Sequence, residues 1–393
     1  YTVSNTAAPT DFFASQSVSA TTQDFYLKAV EVEWDYLPDG ANSCVGNEND
    51  PVPSELSASK FSIGSTYSKW RFLECTDATC ATTVTPAEHL GITGPTLNVA
   101  AGDLLQVTLF NEVTENITLH ASGLMADANA VDTAAAPGAS ATFTWYVPSS
   151  AAAEEEESTS RAWTYHASTA GQVNAGLFGA VIVSNDATTT ADEEFALFLG
   201  TLDENSSPLA TQNAIEQLDD LRNALNVSGS LTESSFEDSV AHIMASNSDF
   251  YPSNLVSSVN GLSLCNLALN AAADDAVRLH LLIPPTSSAV ESAQVSGHDI
   301  TTHGHRTQTA TIFPASSVSL TTTARAGNWV VSGTNAQAGV SATFDVTGSI
   351  SEPSEGTKAD RTFFIAADEV EWDYAPHGYD KCHVKSFDDD EDS

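Results

Sequence analysis

A thirteen-residue segment occurs in two similar copies that share the core EVEWDY, and this repeat limits the possible folds more than any other feature. Asp24–Tyr36 reads DFYLKAVEVEWDY and Thr362–Tyr374 reads TFFIAADEVEWDY. The offset between Trp34 and Trp372 is 338 residues. Short structural repeats recur every 20–50 residues or so, so this long period predicts duplication of a large, multi-domain unit. We expect one full unit followed by the opening strand of a second, within a longer parent protein.

The charge balance excludes several classes of partner. The chain has 52 acidic and 13 basic residues and a net charge of −39, so phosphate backbones and anionic lipids will repel it. We therefore expect no nucleic-acid partner. The absence of a run of eighteen apolar residues predicts no membrane insertion. The acidic segment Ala151–Ser160 is interpreted as a solvated loop, with a loose cation site as the less favoured alternative because it lacks an ordered ligand spacing.

The five cysteines follow a pattern that allows local and long-range pairing. Cys75 and Cys80, in CTDATC, are close enough for a loop disulfide. Cys44 and Cys382 occupy equivalent repeat positions, so each could pair within its own unit, while Cys265 has no obvious partner. Connectivity cannot be determined from spacing alone.

Three sequons begin at Asn116, Asn205 and Asn226. Each is weak evidence alone. Together with the disulfide candidates and the acidic composition, they predict a glycosylated protein that is secreted or held at the cell surface.

Most of the chain has the pattern of β-strands. Runs rich in Val, Thr, Phe and Leu, such as Leu104–Phe110 and Arg278–Ile283, alternate with turn-forming residues. This pattern predicts an all-β fold of sandwiches. The spacing of apolar residues in Ala210–Leu225 predicts a helix. The polar segments Ser184–Glu194 and Ser351–Ala359 are predicted linkers, which divides the chain into domains 1–186 and 187–357, with a helical insertion near 207–226, and a truncated third domain, 358–393.

A series of motifs resembles the ceruloplasmin and hephaestin branch of the multicopper oxidases. No single motif is decisive, but the order along the chain matches the family. That resemblance implies tandem cupredoxin-like Greek-key β-sandwiches. In chain order, the matching elements are the EVEWDY opening, Gly94–Pro95–Thr96 with Gly102–Asp103, Leu119–Gly123, Trp163–Ser168, Gly176–Gly179, Leu202–Ser206, Val259–Gly261, Phe313–Ala315 and Gly327–Trp329.

The resemblance also implies copper sites, and the first sandwich lacks half of the ligands for them. The family builds a trinuclear cluster from H-x-H motifs, in which alternate residues of a strand point to the same face. Here His120 is followed by Ser122 where the second histidine would stand, and His166 is followed by Ser168. Only His120 and His166 remain as candidate metal ligands in this part of the chain.

The second sandwich retains histidines but lacks the thiolate. A blue-copper site takes one cysteine, two histidines and a weak axial ligand. The segment from His298 through His303 to His305 resembles the third copper motif, and His303 and His305 would share one face of a strand. At the fourth motif the cysteine position is Gly333.

These losses predict a non-catalytic, secreted glycoprotein that uses a ceruloplasmin-like scaffold for a structural or interaction role. Its partners would be other chains, later repeats or copies of itself, and no cofactor is expected in this segment. One alternative is a multicopper oxidase or ferroxidase with its copper in later repeats. Another is a metal-binding module without turnover, which uses His298, His303 and His305, with acidic loops as candidate ligands for iron or calcium; copper and calcium are the alternative cofactors. No other catalytic motif is present.

Overall fold

The computed structural model describes residues 20–44, 50–57, 62–126, 133–153, 160–185, 191–217, 250–349, 366–373, 376–380 and 385–386. The chain divides into two units, 1–350 and 351–393. In the second unit, the described backbone forms a small antiparallel pair of strands, β21 (Tyr379–Asp380) and β22 (Lys385–Ser386). The predicted third domain remains a prediction.

The first β-sandwich has two sheets, with strand orders β2-β1-β4-β7-β6 and β3-β9-β8-β5. Apolar residues alternate with polar ones in strands such as β4, which buries every second side chain against the opposite sheet. The strands are β1 (Thr22–Asp35), β2 (Thr66–Glu74), β3 (Leu97–Ala100), β4 (Leu104–Asn111), β5 (Leu119–Ala121), β6 (Met125–Ala126), β7 (Ser140–Tyr146), β8 (Ser160–Ala167) and β9 (Phe178–Ser184).

The second β-sandwich repeats this arrangement, with strand orders β11-β10-β13-β18-β15-β16 and β12-β20-β19-β14-β17. The parallel pairs β1–β4 and β3–β9 have counterparts in β10–β13 and β12–β20. The predicted fold class of tandem cupredoxin-like sandwiches is therefore confirmed. The strands are β10 (Glu193–Asp203), β11 (Leu255–Val259), β12 (Ala268–Ala272), β13 (Ala276–Leu282), β14 (Glu291–Val295), β15 (Ile300–Thr302), β16 (His305–Thr307), β17 (Ala310–Ile312), β18 (Ser317–Thr323), β19 (Gly327–Ser332) and β20 (Ser341–Thr347).

In the described part of the chain, helices are few and short. They are α1 (Ala170–Asn174), α2 (Ala210–Gln217) and α3 (Phe250–Ser253), with 3-10 turns at 54–56, 88–90, 149–151, 204–206 and 336–338. Helix α2 occupies the start of the predicted insertion near 207–226, and residues 218–249, including Asn226, lie outside the described part of the chain. Among the described helices, none is long and apolar enough to cross a membrane.

Each sandwich has its own apolar core, and a third apolar cluster is shared between them. The shared cluster combines Tyr36, Phe178 and other residues of the first sandwich with Phe198, Val256 and Leu282 of the second. The EVEWDY segment lies at this junction, where Trp34 Nε1 donates to Gly261 O at 2.7 Å. The first copy of the segment thus contributes to the contacts between the two sandwiches. The predicted boundary at 186/187 lies between β9 and β10, in residues 186–190 outside the described ranges.

Two disulfides are present in the described residues. Cys75 and Cys80 close the short loop after β2. Cys44 pairs with Cys265 across 221 residues, with a Cα–Cα distance of 4.9 Å. Cys44 thus pairs within its own unit, as the sequence allowed, and its partner is Cys265, for which the sequence offered no obvious partner. Its partner was hidden because the two loops meet only when both sandwiches are assembled, where Ser43 N donates to Leu264 O at 3.0 Å. Cys382 lies outside the described residues.

Candidate functional site

His120 and His166 lie directly opposite each other on neighbouring strands. His120 on β5 is the register partner of His166 on β8, and their ring centroids are 5.9 Å apart. Their strand neighbours Leu119, Ala121 and Ala167 point into the core and are buried. The alternation of the strands therefore puts both imidazoles on the outer face of the sheet.

Hydroxyl groups occupy the next positions on that outer face. Ser122, two residues after His120, has its Oγ 3.1 Å from Thr164 Oγ1, which is two residues before His166. Ser168 is exposed beyond the end of β8. The patch therefore presents two imidazoles, and Ser122 and Ser168 stand where the related motifs would present two more.

The local hydrogen bonds fix the orientation of one imidazole. His166 Nδ1 donates to Ala167 O at 2.8 Å, which directs Nε2 away from the backbone. Burial lowers the pKa of His166, the bond to Ala167 opposes this, and nearby His120 lowers it further. A neutral imidazole is the form that binds metals. This pair could therefore supply two nitrogen ligands.

A small cavity separates this face from the second sandwich. It has a volume of about 90 Å³ and is lined by Ser122, Trp163 and His166 on one side and by Ile283 and Ser317 on the other. The volume corresponds to about three water molecules. The histidine face is therefore partly covered by the second sandwich.

His298 is a buried, hydrogen-bonded core histidine. Its Nδ1 donates to Ser296 O at 2.9 Å, and its Nε2 accepts from the backbone N–H of Arg325 at 3.1 Å. Its ring also contacts Trp329 edge to face, with centroids 5.2 Å apart. Burial lowers its pKa. Both nitrogens are occupied by the protein, so His298 cannot act as a copper ligand without breaking one of these bonds.

His303 and His305 do not share a strand face. His303 and Gly304 both have positive φ, of 48° and 71°, and form the two-residue turn between β15 and β16. Such a turn is typical of tight hairpins, with glycine favoured in the left-handed region. Both histidines are exposed at the hairpin tip. The expected strand pair is therefore wrong, because the chain reverses at His303.

The position of the missing thiolate is tightly packed. A Cβ at Gly333 would lie 2.5 Å from Val340 Cγ1 and 3.2 Å from Glu291 Oε2. The buried Glu291 carboxylate accepts from Thr334 N at 3.1 Å. Strands β14 and β19 do bring the third and fourth motifs together. The space for a thiolate ligand is nevertheless occupied by an aliphatic side chain and a carboxylate.

A blue-copper centre does not fit these residues, because the thiolate is absent and His298 is committed to the protein. Within the described ranges there is also no cluster of three or more His, Cys, Asp or Glu side chains able to hold a metal ion. The histidine pair of the first sandwich supplies half of the ligands expected there for a trinuclear cluster.

Sequence reasoning missed a buried ion pair between the two sandwiches. Lys69 of β2 contacts the carboxylate of Glu204, with the two side chains 0% and 1% exposed. Tyr36 of the EVEWDY segment donates to the same carboxylate. Burial, and then Glu204, raise the pKa of Tyr36. The sequence of β2 contained a signal for the burial of Lys69, because Lys69 lies two residues after Tyr67 and therefore on the same buried face of the strand.

A second buried cluster of polar groups also crosses the junction. Glu194 Oε1 accepts from Ser160 Oγ at 2.6 Å, from His280 Nε2 at 2.9 Å and from Arg278 at 3.1 Å. Burial alone would raise the pKa of Glu194, but the bonds from His280, Ser160 and Arg278 lower it to about 2. The charged carboxylate is thus held between the sandwiches. The sequence signal for this cluster was the presence of Arg278 and His280 in an otherwise apolar strand, where buried polar side chains need partners.

Comparison with known proteins identifies the scaffold. A family profile described as multicopper oxidase matches residues 79–188. Mouse (Mus musculus) hephaestin is 27% identical over 400 residues, covering 93% of this chain and 33% of hephaestin. Sheep (Ovis aries) ceruloplasmin is 28% identical over 388 residues, covering 90% of this chain and 35% of ceruloplasmin. The chain is similar to hephaestin and ceruloplasmin, and its residues 79–188 match the multicopper oxidase family.

A solved structure supports the same fold. The copper nitrite reductase from Nitrosomonas europaea superposes with a TM-score of 0.50 at 15% identity, covering 84% of this chain and 95% of the reductase chain. That similarity supports the cupredoxin-like fold alone. The ceruloplasmin-like chain spans about a third of the length of the curated relatives it matches, at 33% of hephaestin and 35% of ceruloplasmin.

Proposed function

We propose that this ceruloplasmin-like segment has a structural or interaction role and carries out no copper chemistry itself. The observation that carries this proposal is the packing at Gly333, where Val340 and Glu291 fill the thiolate position. A multicopper oxidase admits electrons through that thiolate, so its loss removes the entry point for one-electron oxidation. The scaffold contacts between the sandwiches are retained although the ligands are not.

The proposed setting is the extracellular space or the cell surface. Two disulfides support an oxidising compartment. Asn116 is exposed at the start of its sequon, which supports glycan attachment there. Under this proposal the partners are other protein chains, later repeats of the same chain or further copies of it. Calcium is a candidate counter-ion for the acidic surface.

An oxidase remains a second candidate function for the whole protein. The relatives are multicopper oxidase-type proteins, and this chain covers about a third of their length. Under this alternative, a ferroxidase centre lies in repeats beyond residue 393. A third candidate, a metal-binding module without turnover, is favoured by the pairing of His120 with His166.

The test is the metal content and visible absorption of this 393-residue chain after loading with copper and dialysis. We expect copper at background, no intense blue band and no ferrous-iron oxidation above the buffer rate. Stoichiometric copper with a blue band would overturn the proposal.

Colourless copper binding that disappears in the double variant His120→Ala, His166→Ala would instead establish the metal-binding module. The variant His303→Ala, His305→Ala is the matched control, because it removes two exposed imidazoles from the hairpin tip. The same measurements on the full-length parent protein test the oxidase candidate separately.

A further inference from the structure

The exposed positive charge of the described residues is concentrated in one groove. Seven lysine or arginine side chains are described, and five of them are buried or half-buried. The remaining two, Arg306 and Arg325, are exposed and line the same groove on the second sandwich. In a chain with a net charge of −39, a groove that collects the exposed guanidinium groups is unusual.

The groove has the size and lining of a site for a small polar molecule. Its volume is about 530 Å³, within the range of roughly 300–1,000 Å³ that is common for small-molecule sites. Threonines 301, 321, 322 and 323 line it, together with His298 and Asp299, and Ala276 is the one apolar lining residue. Thr301 and Thr321 are register partners on neighbouring strands, so their positions are set by the sheet. A lining of hydroxyls and charges suits a hydroxylated, anionic ligand rather than an apolar one.

Arg325 is held in place by the core beneath the groove. Its backbone N–H donates to His298 Nε2, and its backbone carbonyl accepts from Trp329 Nε1 at 2.6 Å. Its Nη1 donates to Gly297 O at 3.0 Å. A guanidinium has five N–H donors, so this bond leaves donors for a ligand. A pre-positioned side chain loses less conformational entropy on binding than a mobile one.

Arg306 and Asp299 form the opposite side of the groove. They make an exposed ion pair, with the side chains 76% and 47% exposed. Such exposed pairs are weak, about 0–1 kcal/mol, so Arg306 can also contact an incoming anion. The Asp299 carboxylate accepts from Arg306 and from Gln308 Nε2, and its remaining lone pairs can accept from the hydroxyl groups of a ligand beside its anionic group. Asp299 therefore favours a sugar ester over a bare inorganic anion.

We propose that this groove binds a small sugar that carries a sulfate or phosphate ester. Arg325 and Arg306 bind the ester oxygens, because the planar guanidinium fork matches oxyanion geometry. Thr301, Thr321 and Asp299 bind the sugar hydroxyls. A long anionic polymer is excluded, because beyond a Debye length of about 8 Å it would meet the net negative surface.

The experiment is calorimetric titration of the chain with glucose 6-sulfate and glucose 6-phosphate, with glucose, inorganic sulfate and a heparin polymer as comparisons. We expect Arg325→Gln and Arg306→Gln each to weaken ester binding by about tenfold or more. Arg161→Gln is the matched control, since it removes the same charge from the first sandwich, and we expect a change of less than about twofold. Thermal melts verify that every variant is folded.

Several outcomes would overturn the proposal. Equal loss in all three arginine variants would show a general charge effect, and glucose binding as tight as the ester would remove the role of the anion. Inorganic sulfate bound as tightly as the sugar ester would mean an adventitious ion only, and a tighter polymer would contradict the size limit. The two esters distinguish the source: at pH 8, where the phosphate ester carries its second charge, the ester that binds more tightly identifies the anionic group that the groove prefers.

Discussion

Replacing Lys69 with methionine tests the role of the buried ion pair at the junction. Met keeps most of the apolar stem but removes the ammonium that contacts Glu204 and donates to Asn174 O at 2.8 Å. The Glu204 carboxylate is then left buried and without its cation. Breaking a buried pair in this way costs about 3–5 kcal/mol. We therefore expect the free energy of unfolding to fall by that amount.

The matched control is Lys28→Met, which makes the same substitution in a more exposed pair. Lys28 and Glu112 are 2.8 Å apart, with side chains 17% and 56% exposed, so the expected cost is about 0–1 kcal/mol. The double variant Lys69→Met, Glu204→Gln removes both charges and should be more stable than Lys69→Met alone, since no unpaired charge is buried.

The assay is urea unfolding followed by tryptophan fluorescence and near-ultraviolet circular dichroism, and unchanged m-values are needed to compare free energies. If Lys69→Met and Lys28→Met lose the same stability to within about 1 kcal/mol, the buried pair does not hold the junction.

Three further predictions follow from other described contacts. The pKa of Glu194 is about 2 in the folded state and 4.5 in the unfolded state, so the folded state binds fewer protons there and stability should be lost as pH falls from 4.5 to 2. The free energy of unfolding of Glu194→Gln should therefore depend less steeply on pH in this interval. The same pH dependence in both proteins would contradict the assignment. Peptide mapping of protein from a eukaryotic secretory host should find glycan at Asn116 and none at Asn205. The Nδ2 of Asn205 would carry the glycan, but it already donates to Asp203 Oδ1 and Tyr251 O at 3.0 Å each. A glycan on Asn205 would refute this. Gly333→Ala should cost about 1–3 kcal/mol in thermal or urea unfolding because of Val340, and an unchanged stability would show that the site has room for a side chain.

The two sandwiches could be predicted from the sequence because strand alternation and the family motifs are both patterns within short stretches of the chain. Runs such as Leu104–Phe110 became strands with the expected buried face. The turn at His303 was predictable in principle, since a residue followed by Gly304 between two short polar runs is a hairpin signal. It was missed because resemblance to a histidine motif outweighed turn chemistry.

The junction could not be predicted in the same way. The pairing of Cys44 with Cys265, and the contact of Lys69 with Glu204, join residues that are far apart in the chain. Their proximity depends on how two complete sandwiches pack, which no local pattern encodes. The basic groove also had no local signal, because Arg306 lies in β16 and Arg325 lies between β18 and β19, and the two meet only in the folded second sandwich.

The Cys44–Cys265 disulfide has a consequence for synthesis on the ribosome. The first sandwich ends at Ser184, so roughly 80 more residues, or about 4–16 s of elongation at 5–20 residues per second, separate its completion from the appearance of Cys265. During that interval the nascent chain carries a reactive thiol at Cys44 and an uncovered apolar surface around Tyr36 and Phe178. Closing the disulfide and covering this surface both require the second sandwich, so these two sandwiches mature together rather than one at a time.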